Sequence, residues 1–554
     1  VDTPSSGVRP VTGLTARNVL SESVAGVTLL AIAVPLNIGY AQIAGLPPTA
    51  GLYALVVPAI IYALVVSSRQ VVASPDAAAA ALVASSVGGL AAAGSADYLT
   101  LAFAQAIISG VLFALMAFFK LGFLATFLSK PILVGFVGGL ALDILVSQLA
   151  KMLGVKIDSG GEFIDKVRDL FAGLGTMNAW SIAISLAALV VLLMGRRLAR
   201  AVPWALIVLI LATILVVTAD LDGAGVDVLG KVEAGPPTLT WPVIDWATWL
   251  LLVPSAIALT MVTTAEGLLV SRAYGEQHGY STKPNRDLLA FGLGNIASGA
   301  TGGFAIGSST SRTAAMDQLG SRTQLPSIIT AVGTLLLLVF GTALLEEIPS
   351  PAIGAIVAVA VVPLLGITDF ARLWKLDRFE FAIGAVCFLV TLFVGAIPGI
   401  VVSFVLALVN IVRRASRPAI DILAADDDPL ESLLSEAPAG TFSAPGTIVV
   451  RMAAPLFFAN GAVFDDAVKR AVQAVPGGTG AVKHLVVDLV AINDVDVTGA
   501  ESFAALKAWL RANDIELSFS RVRPTARARL ERLGLLTSER VFDTNRAAIA
   551  ALSG

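Results

Sequence analysis

Residues 307–320 read Gly307-Ser308-Ser309-Thr310-Ser311-Arg312-Thr313-Ala314-Ala315-Met316-Asp317-Gln318-Leu319-Gly320. Apolar runs bracket this stretch, yet it is short, opens on small hydroxyl residues and carries an arginine where the first turn of a helix would fall. A second stretch has the same design: Ala73-Ser74-Pro75-Asp76 leads into the alanine run Ala77 to Ala81. Each spacing predicts a half-length helix whose first N–H groups, unpaired by helix geometry, point back at the polar residues before them.

Around these stretches the chain is too apolar for water. Of its 554 residues 56% are hydrophobic and 14% charged, against roughly 25% charged in soluble domains. The excess apolar surface must face lipid. Fifty glycines and twenty-six prolines without a period exclude collagen and match the composition of membrane helices. A net charge of -3 offers nucleic acid no general attraction. One cysteine, Cys387, and two histidines, His278 and His484, leave no material for a disulfide framework, a cysteine-cluster metal site or a histidine-rich site, so no cofactor is expected.

Between Val24 and Val412 the apolar runs are near the ~20 residues that cross a ~30 Å hydrocarbon core. They start near Val24, Gly51, Pro75, Leu99, Ile132, Ser181, Trp204, Leu250, Leu288, Ser311, Ile328, Ala352, Phe381 and Ile400. The two short stretches are then third and tenth of about 14, corresponding places in two inverted seven-span repeats. Interrupted helices so placed predict a transport site, because two positive helix ends meet at mid-membrane and favour an anion. The fold class expected is an α-helical polytopic membrane protein. The segment Lys151 to Phe171 is too charged to cross and reads as a loop or an interfacial helix.

The arginines set the orientation. Arg9 and Arg17 precede the first run, Arg196, Arg197 and Arg200 fall midway, and Arg413, Arg414 and Arg417 follow the last; all are expected on the cytoplasmic side. The chain divides into a cytoplasmic N-terminal segment (1–20), a membrane domain (21–412), a linker (413–445) and a soluble domain (446–554). Asp426, Asp427, Asp428, Glu431 and Glu436 make the linker acidic and solvated.

Ionisable side chains within spans are costly and therefore informative. Arg312 adds a permanent planar cation beside the start of the tenth run, a natural anion partner. Glu266, in Thr263-Thr264-Ala265-Glu266-Gly267 of the eighth run, could neutralise that arginine and release it on protonation, which would couple a proton to the anion. The plainer expectation is a fixed Glu266–Arg312 bridge between helices. Asp76 is expected to cap the third helix, and Asp143 to make a satisfied polar contact within the bundle.

The run Pro35-Leu36-Asn37-Ile38-Gly39-Tyr40-Ala41-Gln42-Ile43-Ala44-Gly45-Leu46-Pro47-Pro48-Thr49-Ala50-Gly51-Leu52-Tyr53 closely resembles the first-span signature of the sulfate permease family, solute-carrier family 26. Ser67-Ser68-Arg69-Gln70 with Ser74-Pro75-Asp76-Ala77, Pro284-Asn285-Arg286-Asp287 with Gly292-Leu293-Gly294-Asn295-Ile296, and Ser311-Arg312-Thr313-Ala314 with Gly320-Ser321-Arg322-Thr323-Gln324-Leu325 agree with it. The resemblance implies a core domain moving against a gate domain, with the anion held between the third and tenth half-helices. It implies an anion site of Tyr40, the backbone at Asp76 and Ala77, and Ser311 with Arg312, and a proton-coupling role for Glu266. Leu36 stands where the family often has glutamine, and Ser74 where it often has glycine; the lost glutamine leaves the identity of the anion open.

From Gly446 the pattern changes to strands at 447–452, 484–489 and 516–519 alternating with helices over 461–475 and 499–512, a small mixed or parallel sheet. This part resembles a STAS domain, whose marker is the turn Asp496-Val497-Thr498-Gly499. Thr498 takes the place of a serine that is phosphorylated in the bacterial antagonists, which implies a regulatory residue; its simpler expected role is to cap the helix. His484 reads as structural.

These readings lead to a secondary active transporter of a small anion, sulfate first, coupled to protons. Bicarbonate or dicarboxylate transport, sodium coupling and an uncoupled channel or exchanger are the alternatives, and a receptor signalling through the tail is a third class. No nucleophile with its base and no metal-ligand cluster lies within the spans, so no enzyme is expected. The expected setting is the inner (plasma) membrane, multi-pass, with the N-terminus and STAS domain cytoplasmic; the resemblance implies a homodimer.

Overall fold

The computed structural model describes residues 13–16, 18–122, 130–158, 162–198, 202–424, 435–438, 440–492 and 494–552, the side chains of 196, 311, 396, 397, 400, 435 and 525 excepted. The chain forms two compact units, residues 1–407 and 408–554. The first is helical. Its elements are α1 (Val19–Ile43), α2 (Pro48–Tyr53), α3 (Val57–Val65), β1 (Ala73–Ser74), α4 (Ala77–Val87), α5 (Ala96–Phe118), α6 (Lys130–Leu153), α7 (Phe163–Ala172), α8 (Ala179–Leu198) and α9 (Trp204–Ala219). There follow α10 (Trp246–Gln277), α11 (Pro284–Ala300), β2 (Gly307–Ser308), α12 (Thr310–Gln318), α13 (Leu325–Phe340), α14 (Ala343–Glu346), α15 (Ser350–Val361), α16 (Ile367–Leu376), α17 (Arg378–Phe393) and α18 (Ala396–Ala415), the last crossing into the second unit.

Every apolar run read from the sequence coincides with a helix or, for the second run, the pair α2 and α3. Among the described residues six helical stretches are long and apolar enough to cross a membrane, or seven when α7 and α8, bent by 115°, count as one. The charged segment after Leu153 resolves into α7, which turns Lys166 and Leu170 inward and the rest of its polar side chains outward. Lys151 belongs to the last turn of α6, not to that segment.

Small residues let the helices approach. Where α5 crosses α11, a Cβ on Gly110 would lie 2.7 Å from the Gly292 carbonyl, and one on Gly292 2.9 Å from the Gly110 carbonyl. The backbones therefore touch, and the rings of Tyr62, Phe113 and Phe291 fill the space beside them at centroid spacings of 4.9 and 5.8 Å.

The second unit is a six-stranded sheet with β3 (Ile420–Ala424), β4 (Ser435–Ala437), β5 (Thr447–Met452), β6 (His484–Asp488), β7 (Glu516–Ser520) and β8 (Arg540–Phe542). The order is β4-β3-β5-β6-β7-β8, parallel from β5 to β8, with β3 antiparallel to both its neighbours. Helices α19 (Gly461–Ala474), α20 (Val497–Ala512), α21 (Pro524–Arg532) and α22 (Asn545–Leu552) complete it. Ile448, Val450, Leu485 and Val487 face a core shared with Phe464 and Phe503, while Val449 and Val486 face Ala548 and Leu552. Burial on both faces explains why Ile448 to Val450 and Leu485 to Val487 are apolar without alternation.

Two readings of the sequence change here. The stretch 413–445 contributes β3 and β4 to the sheet; Ile422 and Leu423 are buried on opposite faces, too short a signal to register in composition. Of its acidic residues, Glu436 pairs with Arg451 at 2.9 Å, while Asp426, Asp427, Asp428 and Glu431 lie outside the described residues. Thr498 does not cap α20. Asp496 does, its Oδ1 accepting from the Gly499 N–H at 2.7 Å, which leaves Thr498 exposed within the first turn.

Candidate functional site

The site begins at the short β1–β2 ladder, where Ala73 faces Ser308 and Ser74 faces Gly307, antiparallel. A half-helix follows each strand directly. Because the strands run in opposite directions, α4 and α12 leave the ladder in opposite senses with their N-termini together. Nine and eleven residues at ~1.5 Å per residue make the pair about one membrane thickness long.

Each start is set locally. Pro75 has no N–H and disfavours helix at the residue before it. Asp76 then adopts an extended conformation and its Oδ1 accepts from the Ala79 N–H at 2.7 Å, after which the alanines propagate the helix. Ser309 repeats the device, its Oγ accepting from the Arg312 N–H at 3.3 Å. The two starts are tied together: Ser309 N–H donates to the Val72 carbonyl at 3.0 Å, and Val72 N–H to Thr313 Oγ1 at 3.0 Å. Gly307 must be glycine, since a Cβ there would lie 2.1 Å from Asp76 Oδ2.

Arg312 reaches across this junction. Its side chain is 1% exposed. Nη2 donates to the Pro75 carbonyl at 2.5 Å, and the guanidinium lies 5.7 Å from the centre of the Tyr40 ring on α1. Nε and Nη1 meet no acceptor of the protein. A buried guanidinium with two donors unspent carries a large desolvation cost and is poised to receive an oxygen ligand.

Tyr40, Asp76, Ala77 and Arg312 thus converge, all buried or nearly so. Ser311 lies in the first turn of α12, but its side chain is outside the described residues. Glu266 differs from the expected bridge. Among the described residues no ion pair joins it to Arg312, whose guanidinium donates to the Pro75 carbonyl. The reason is register. Thr263, one turn before Glu266 on α10, is the residue that lies against Gly307. Thr263 and Gly307 join the site unread from the sequence; Thr263 stands three residues before Glu266 in the chain, and that proximity was the available signal.

Asp143 is paired by Lys166 at 2.8 Å and lies apart from this cluster. His484, on β6, lies 3.3 Å from Glu516.

The sulfate permease family model matches residues 20–387, and the STAS domain model matches residues 443–548. A protein named "Probable sulfate transporter" from Mycobacterium tuberculosis is 32% identical over 540 residues, 95% of this chain and 94% of the relative. "Sulfate transporter 3.1" of Arabidopsis thaliana is 27% identical over 523 residues, 90% and 79% of the two chains. Among solved structures, the murine solute carrier 26 family member A9, an anion transporter in its inward-facing state, superposes with a TM-score of 0.87 at 21% identity over 97% of this chain and 92% of that one. The transmembrane domain of a cyanobacterial bicarbonate transporter, BicA, gives 0.62 at 23% identity over 72% and 99%. At those identities the two structures speak to the fold alone, a helical membrane protein.

Proposed function

The chain belongs to the sulfate permease family, and on that premise we propose that it is a secondary active transporter of a small anion, sulfate first, coupled to protons and working by an elevator-like movement. The observation that carries this reading is the Arg312 side chain, buried between two helix N-termini with Nε and Nη1 unspent. A tetrahedral oxyanion offers adjacent oxygens to such a fork, and the first N–H groups of α4 and α12 add donors around it. The relatives named as sulfate transporters support sulfate as the first candidate.

Glu266, an ionisable side chain within α10 one turn beyond Thr263, which lies against Gly307, supports coupling to a cation. With Glu266 and Asp76 both ionised, two negative charges accompany the one positive charge of Arg312, and an incoming anion is repelled. One proton removes that excess. A sodium ion would remove it too, so the test needs both gradients. The family resemblance and the arginines at 413, 414 and 417 support a multi-pass placement in the plasma membrane with the N-terminus and STAS domain cytoplasmic, and a homodimer.

The test uses purified protein in proteoliposomes, with labelled sulfate uptake competed by bicarbonate, chloride or fumarate under an inward proton gradient and then an inward sodium gradient. The expected result is accumulation above equilibrium driven by protons, competed best by unlabelled sulfate. Uptake that stops at equilibrium under both gradients and carries current would replace the symporter with a channel.

A further inference from the structure

A second polar cluster lies between helices that carry the Arg312 site and one that does not. Gln42 of α1, Ala81 and Ala84 of α4, and Gln148 and Lys151 of α6 border a cavity of about 10 Å³, room for one water molecule. Asp143 and Lys166 line it too and cancel each other, with Nζ 3.0 and 2.8 Å from the two carboxylate oxygens. Lys151 has no such counter-charge among the described residues. Its Nζ donates to the neutral Gln42 Oε1 at 2.8 Å. Gln148 is 1% exposed, and neither Oε1 nor Nε2 meets a protein partner.

An ammonium held by a neutral amide and an amide held by nothing both carry a free-energy cost that packing alone does not explain. Their position suggests what offsets it. Ala84 is seven residues beyond Ala77, ~10 Å along α4 from the N-terminus that borders the Arg312 site. Gln42 is two residues beyond Tyr40. The two helices that hold the first site therefore lead directly to this cluster, and the alanines give the intervening wall no side chain to obstruct it.

We propose that Lys151 with Gln148, in this seam between α1/α4 and α6, forms a transient second site for a small oxyanion. The proposal rests on reading the Arg312 site as an anion site. In this structure the seam is held shut by the Lys151–Gln42 hydrogen bond, and the cavity is too small for an oxyanion. When α1 and α4 shift against α6, Gln42 leaves Lys151, and the anion takes its place, accepting from Lys151 Nζ and Gln148 Nε2. The site fills only in passage.

The chain's single cysteine, Cys387, is buried, so Gln148→Cys in the full-length protein in proteoliposomes is a clean reporter. Its rate of modification is measured with an anionic and a cationic methanethiosulfonate, each corrected for its reactivity with a free thiol. The expected result is a preference of about tenfold for the anionic reagent, the scale on which a charged cleft concentrates counter-ions. That preference falls to near unity when Lys151→Met is added and returns with Lys151→Arg. A cysteine that no reagent reaches, equal rates for the two reagents, or a preference that survives Lys151→Met would overturn the proposal. A preference that depends on Lys151 in a protein that moves no sulfate would sustain the seam and overturn the sulfate reading instead.

Discussion

At the scale of single residues the account turns on one missing side chain and two carboxylates. Gly307 leaves the room that the Asp76 carboxylate occupies. Gly307→Ala forces that carboxylate off the α4 N-terminus; the expected effect is at least a tenfold loss of sulfate uptake and a destabilisation of about 1–3 kcal/mol, read from the melting curve in detergent. Glu266→Gln should leave the melting curve close to wild type, because it removes a charge without removing volume. Under the proton-coupling reading, wild-type uptake should rise as the outside pH falls, because the proton gradient drives it; uptake by Glu266→Gln should be flat across the same range. A variant that keeps the full pH dependence would reject the coupling role. The capping role of Asp76 was legible in the sequence because an N-cap acts on the N–H three residues ahead. That Glu266 forms no ion pair with Arg312 was not, because it depends on how α10 packs against the β1–β2 junction, and nothing local encodes that rotation.

At the scale of elements, what the sequence revealed best was interruption. Pro75 and Gly307 to Ser309 broke two apolar runs, and both breaks became helix starts joined by a ladder. Boundaries that depend on distant partners were less visible. Lys151 opened a charged stretch and read as loop, yet it completes α6 because Gln42, 109 residues away, receives its ammonium. Ile420–Ala424 read as linker because a strand of that length pairing with β5 has no period to detect. In α20 the cap was displaced by two residues, from Thr498 to Asp496, since the carboxylate reaches Gly499 N–H from an extended backbone while Thr498 is already helical. Asp496→Ala should therefore cost the second unit about 1 kcal/mol, measured by denaturant unfolding. Thr498→Ala should be neutral, and the reverse ranking would contradict the assignment.

At the scale of the whole molecule, composition separated a lipid-facing unit from a sheet-bearing one, and the boundary within α18 falls close to where the charge returns at Arg413. The same scarcity of charge makes a buried arginine decisive, because a guanidinium with unspent donors can persist in a low-dielectric bundle only if something it binds repays the desolvation. The most direct measurement is uptake of labelled sulfate into proteoliposomes under an inward proton gradient, comparing wild type with Arg312→Ala at equal, monodisperse incorporation. Uptake by the variant should fall to the level of protein-free vesicles; uptake at the wild-type rate would contradict the site at the junction of α4 and α12.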